Sequence, residues 1–118
     1  MEIYQFTKET GKKIKKFNSD FIMSHITQTQ KTAHIGCIHL DPNGVIGYHQ
    51  AVVAQLLLIV NGEGLVKGET GEFIKVHSGE AVFWEKDEWH ETKTDTRLTA
   101  IVIESEELTT SSLMPLLK

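Results

Sequence analysis

Along this chain apolar residues recur at alternate positions in short runs. Turn residues separate the runs, and no helical repeat is sustained. Candidate strands are Ile3 to Phe6, Phe21 to Thr29, Ala33 to Leu40, Ala54 to Val60, Gly64 to Lys67, Glu72 to Val76, Ala81 to Trp84, His90 to Lys93 and Leu98 to Glu104. Many short strands of this kind predict an all-β sandwich or barrel. Between them stand Asp41-Pro42-Asn43-Gly44, Asn61-Gly62-Glu63-Gly64, Glu69-Thr70-Gly71 and His77-Ser78-Gly79. Each supplies the positive or preset φ of a tight turn, and each is read as a reversal. In the strand from Ala54, residues Gln55, Leu57 and Ile59 share one face and Leu56, Leu58 and Val60 the other. A strand apolar on both faces needs cover on both, from the chain's own second sheet or from a second subunit.

A length of 118 residues suits one domain with one core. The expected division is an N-terminal arm over residues 1–20, a barrel core over 21–104 and a tail over 105–118. The tail, ending Leu113-Met114-Pro115-Leu116-Leu117, is read as a short helix or a docking arm. With 16 acidic against 12 basic residues the net charge is −4, which argues against nucleic acid as a partner. The basic cluster Lys8, Lys12, Lys13, Lys15 and Lys16 is read as a solvated terminal segment. It is followed by Phe17-Asn18-Ser19-Asp20, not by the apolar run of a secretory signal, so a cytoplasmic protein is expected. The apolar stretch from Ala51 to Val60 is about half of the roughly 20 residues a membrane span needs, and no membrane partner is expected. The single cysteine, Cys37, excludes an internal disulfide and a thiolate metal cluster.

Two segments carry a family resemblance. Residues 44–62 read GVIGYHQAVVAQLLLIVNG, and residues 79–94 read GEAVFWEKDEWHETKT. Together they resemble the two sequence motifs of the cupin superfamily, small antiparallel β-barrels that often hold a metal. His49 falls on the first histidine of the first motif, Ala51 on the second, Gln55 on the glutamate and Gly62 on the closing glycine. His90 falls on the histidine of the second motif, with Glu85, Asp87 and Thr94 where proline, glycine and asparagine are common. The resemblance implies a single-domain cupin double-stranded β-helix, a jelly-roll barrel, with a divalent metal held by His49, Gln55 and His90. Zinc, nickel, iron and manganese are the candidate ions. Ala51 has no donor atom and Gln55 offers only a carbonyl oxygen, so at most three protein ligands remain and none carries a negative charge.

Alternation divides Ala33 to Leu40 into an odd face, with Cys37 and His39, and an even face. The resemblance implies that Cys37 and His39 line the pocket with Leu57, Ile59 and Trp89, and that Leu40 lies in the packing layer. Trp84 is read as core, and His25, His34 and His77 as structural or exposed. Cupins commonly pair back to back, so the resemblance also implies a homodimer. Three classes of function remain open. One is a metal-dependent enzyme acting on a small organic substrate, for which the usual iron triad lacks its carboxylate. The second is a metal-free or metal-assisted module that binds or senses a small molecule. The third is a structural dimer with a vestigial site. The reading adopted is a barrel that binds a small molecule in its interior with a divalent metal, its reaction unknown and catalysis left open.

Overall fold

The structure of the protein, a computed structural model, describes residues 1–110 and 112–118. Its strands are β1 (Glu2–Gln5), β2 (Lys12–Ile14), β3 (Phe21–Met23), β4 (Ala33–Leu40), β5 (Val45–Gln50), β6 (Ala54–Lys67), β7 (Ile74–His77), β8 (Glu80–Trp84), β9 (Trp89–Lys93) and β10 (Leu98–Ser105). The larger layer runs β1-β8-β6-β10-β4, with every neighbouring pair antiparallel. Past Gly62, β6 crosses to the opposing layer, where it pairs with β7 and β9, and β9 pairs with β5. One strand therefore serves both walls of the all-β barrel.

This crossing corrects the reading of Asn61 to Gly64 as a reversal. Gly62 has φ +85°, and β10 slips in register between Thr99 and Ala100, so the chain bends within one strand of 14 residues. A Cβ at Gly62 would lie 2.2 Å from the Arg97 carbonyl oxygen, which leaves glycine as the residue that fits. Three other boundaries move. Residues Glu2–Gln5 of the expected arm form a strand of the larger layer. Of Phe21 to Thr29 only Phe21–Met23 is a strand, and it pairs with Lys12–Ile14 in a separate two-stranded ribbon. Val45–Gln50, not read as a strand, pairs with β9.

Two apolar clusters follow from the alternation of β6. Between the layers, Ile3, Leu57, Ile59, Val66, Val76, Val82, Trp84, Leu98 and Ala100 form the inner core, and Ile38, Leu40 and Val102 pack against it. On the outer face of the larger layer, Tyr4, Leu56, Leu58, Ala81 and Met114 form a second cluster, covered by Phe6, Ile26 and Leu108. Each fully buried aliphatic side chain contributes about 1.5–3 kcal/mol. The cover comes from the chain itself. The tail docks on the edge of β1: the Gln5 N–H donates to the Pro115 carbonyl at 3.0 Å and the Leu117 N–H to that of Ile3 at 2.7 Å. Of the two readings of the tail, a docking arm is what forms, although position 111 lies outside the described residues. Among the described residues no helix is long and apolar enough to cross a membrane.

Candidate functional site

Inward-facing positions follow from the inner core. On β6 they are Gln55, Leu57 and Ile59, as the alternation predicts. Gln55 is 9% exposed and stands opposite Trp84 of β8 on one side and Glu104 of β10 on the other. On β9 the inward positions are His90 and Thr92, both buried. His49 of β5 lies directly opposite His90 in the ladder. The two imidazole centroids are 4.4 Å apart, and the far side of His90 meets the Trp84 ring at 4.3 Å. Strand pairing thus brings together His49 and His90 from the two motifs, and Gln55 stands in the ladder opposite Trp84, whose ring packs on His90.

The hydrogen bonding of this cluster is unequal. His49 is exposed and has Nδ1 2.7 Å from the Gly47 carbonyl, a contact in which the ring N–H donates and Nε2 is left on the other side of the ring. His90 is 1% exposed, and neither of its ring nitrogens has a partner. Burial pushes its pKa down to about 4, with the nearby His49 ring acting in the same direction and the Glu88 carboxylate opposing it. The ring is accordingly neutral at pH 7. Trp84 Nε1 is likewise buried without a partner. Ala51 is buried, and its backbone bonds to Asp87 and Glu88 fasten the end of β5 to the turn before β9. Glu85, Asp87, Glu88 and Glu91 do not join the cluster closely enough to replace the missing carboxylate: among the described residues no three His, Cys, Asp or Glu side chains are grouped to hold a metal.

Three expected pocket residues lie elsewhere. Leu40 and Ile38 stand opposite Leu98 and Ala100 and pack on the inner core, so Cys37 and His39 point outward and are exposed. The register between β4 and β10 sets this face, and a shift of one residue reverses every side chain. Trp89, next to His90, takes the opposite face and stacks on Tyr48 at 5.4 Å on the outside of the smaller layer. Leu57 and Ile59 do face inward, as solid core below the polar end. Conversely, His34 and Glu104 share the inward parity of Ile38 and Val102 and pair with each other across β4 and β10. They line a cleft of about 280 Å³ with Lys31 and Val53. A row His34, Glu104, Gln55, Trp84 therefore crosses four strands at this end of the barrel. Neither residue lies in a motif, and their inward parity follows from the Leu57–Val102 and Ile38–Ala100 pairs of the ladder.

This arrangement of strands is the cupin fold. A cupin superfamily protein from Desulfitobacterium hafniense superposes with a TM-score of 0.60 at 14% identity, over 68% of this chain and 72% of that one. An RmlC-like cupin from Shewanella frigidimarina gives 0.57 at 18% identity, over 74% and 72%. The polyketide cyclase RemF from Streptomyces resistomycificus gives 0.58 at 19% identity, over 67% and 60%. No protein-family model matches the sequence, and no curated protein matches it. The chain is thus an all-β barrel with the cupin fold, a likeness of fold that does not by itself assign an activity.

Proposed function

We propose that the protein binds a small molecule at the polar end of its barrel, with a divalent cation held there by His49, Gln55 and His90. The observation that carries this reading is the pair of partnerless nitrogens on buried His90, set against a second imidazole whose Nε2 is free. A buried polar atom without a partner costs about 1–3 kcal/mol, and a bound ion or polar ligand offsets that cost. The donor set fits a cation: two imidazole nitrogens and an amide oxygen leave positions open for water or substrate. Such an ion, when bound, polarises a carbonyl or a coordinated water. The protein's own contribution is to exclude water with Trp84 and Leu57 and to orient His49 through Gly47. Glu104 stands beside Gln55 in the ladder, and with His34 it lines a neighbouring cleft.

A second reading, binding without metal, is favoured by the lack of any grouped trio of His, Cys, Asp or Glu among the described residues. One titration separates the two. Untagged protein is stripped with chelator and titrated with zinc and nickel in a calorimeter, beside His49→Ala, His90→Ala and Gln55→Glu. The metal reading expects one ion per chain, loss of binding in both alanine variants, and about tenfold tighter binding in Gln55→Glu, where a carboxylate adds charge to the donor set. No heat with the wild type, or binding that survives His90→Ala, overturns it. Gln55→Glu then only buries an uncompensated charge, and its melting temperature falls with or without metal.

A further inference from the structure

The β2–β3 ribbon carries chemistry that neither the barrel nor its site uses. It pairs only within itself, outside the barrel sheet. In its ladder Lys12 stands opposite Met23, Lys13 opposite Ile22 and Ile14 opposite Phe21. Paired residues share a face, so cationic and apolar side chains occur on both faces of the ribbon. Phe21, Ile22 and Met23 are 39–44% exposed. The connection between the strands holds Phe17 with φ +58° and Asn18 with φ +59°. The left-handed region is strained for a bulky aromatic residue. Yet Phe17 is 95% exposed, so nothing in its own chain compensates the strain or covers the ring.

Charge gathers in the same place. Lys8, Lys12, Lys13, Lys15 and Lys16 are all exposed. Among the described residues only Lys13 of the five has a carboxylate partner, Asp20 at 3.3 Å. Residues 7–24 hold these lysines against Glu9 and Asp20, a net of +3, which leaves −7 on the rest of a chain whose total is −4. Lys8 and Lys13 line a cleft of about 430 Å³ together with Asp20, Phe21 and Ile22. The segment that carries the positive charge is thus also the one that exposes its aromatic and aliphatic side chains.

From this we infer that the ribbon docks the protein on the surface of an anionic lipid bilayer, with the Phe17 ring entering the boundary between headgroups and acyl chains and the lysines meeting the lipid anions. A rigid protein partner would need one continuous face of one character, whereas a bilayer surrounds the tip and takes both kinds of side chain from either side. Lysine stems lie along apolar surface while their ammonium groups stay at headgroup level. Binding at such an interface grows with the apolar area inserted and with attraction to anionic lipid, and this tip supplies both. A nucleic-acid strand would run past strands of three residues onto a remainder of charge −7, whereas a bilayer meets the tip alone. The expectation of no membrane partner came from an apolar run too short to span, and contact with the surface needs no span. The contact involves none of His49, Gln55 and His90, and so stands or falls independently of the ligand proposal.

Co-sedimentation of the untagged full chain with lipid vesicles tests the docking. The vesicles are phosphatidylcholine alone or phosphatidylcholine mixed with phosphatidylserine, at low and high salt. The expected result is binding to the mixed vesicles about tenfold tighter or more than to phosphatidylcholine alone, weakening as salt rises. Phe17→Ser and the pair Lys15→Glu/Lys16→Glu should each weaken it about tenfold or more. Phe17→Trp should keep the binding, and brominated acyl chains should quench its fluorescence beyond the quenching of the wild type, whose Trp84 and Trp89 stand on β8 and β9. With its ring exposed, Phe17 holds nothing in the barrel together, and unchanged far-ultraviolet circular dichroism of each variant checks this. Absence of binding to the mixed vesicles overturns the inference. So does binding that is lost in the lysine pair but indifferent to Phe17→Ser, or a Phe17→Trp ring that lipid bromine does not reach, since either makes the contact one of charge alone. A third overturning result is tighter binding to a single-stranded oligonucleotide than to the mixed vesicles, lost in the same variants, which would assign the ribbon to nucleic acid.

Discussion

His90 concentrates the unusual chemistry of this chain in one side chain. Its folded pKa lies near 4, below the ordinary 6.5, chiefly because burial disfavours the imidazolium. Between those values the unfolded chain holds a proton that the folded chain does not, so stability must rise with pH across the window. The contribution is fully present above about 6.5 and is lost as pH falls toward about 4. Its size is on the order of 3 kcal/mol, since each tenfold loss of proton affinity on folding corresponds to about 1.4 kcal/mol. Urea denaturation of chelator-treated protein at pH 7 and pH 4.5 should show this loss, and His90→Leu should remove most of it because the substituted side chain has no proton to bind. An equal pH dependence in wild type and His90→Leu would mean that the acid sensitivity comes from other groups. The same residue shows what was legible beforehand. His49 and His90 stood out because two separated motifs each supply one histidine, and the ladder of β5 with β9 brings these two together. His34 and Glu104 did not stand out, because neither belongs to a motif and their inward parity depends on a pairing with β6 that no local pattern reveals.

Strand β6 joins the two halves of the site, since it carries Gln55 in the larger layer and, past its bend, holds β9 and therefore His90 in the smaller one. Its apolar run made Ala54 to Val60 plain in the sequence. Its continuation was hidden, because Asn61-Gly62-Glu63-Gly64 has the composition of a hairpin turn and only the long-range partners β7 and β9 keep the chain extended. β4 shows the complementary limit. Its bounds, Ala33–Leu40, were legible from its flanks, but Ile and His residues occur on both faces, and only the Leu40–Leu98 and Ile38–Ala100 pairs decide which face turns inward. The bend itself makes a sharp prediction. Gly62 and Gly71 have nearly the same positive φ, +85° and +86°, but an added Cβ meets the Arg97 carbonyl at the first and nothing within 4 Å at the second. Gly71→Ala should cost about 1–2 kcal/mol, the conformational penalty alone. Gly62→Ala should cost clearly more, because either the Arg97 backbone or the bend must shift. Denaturation midpoints of the two variants check the order, and similar values would show that β6 relaxes around the added methyl. If the bend shifts, Gly62→Ala should also weaken ligand or metal binding at Gln55 and His90, which Gly71→Ala leaves intact.

The molecule is a barrel closed on its outer side by its own two ends, and this is what the sequence disclosed least. Lysines disguised the ribbon as a solvated terminus, and the tail offered no periodicity from which its path could be read. Both ends converge on the outer face of the larger layer, where Leu56 and Leu58 would otherwise meet water. The tail supplies Met114, 2% exposed, and a row of backbone hydrogen bonds that includes Ile3 N–H to the Lys118 carbonyl at 2.7 Å. It therefore protects an edge strand, β1, whose unpaired groups would otherwise invite pairing with another chain. Removing residues 113–118 deletes this cover while leaving the inner core, His49, Gln55 and His90 untouched. The truncated chain should lose roughly 3 kcal/mol or more, from the burial of Met114 and its neighbours together with the freed backbone groups of Ile3 and Gln5. Because the exposed edge and the exposed Leu56–Leu58 surface both favour association, it should also aggregate on mild heating where the full chain stays in solution. Urea unfolding and light scattering measure the two effects. A truncated protein with unchanged stability would mean that the ribbon's flanks, Phe6 and Ile26, cover the outer face without the tail.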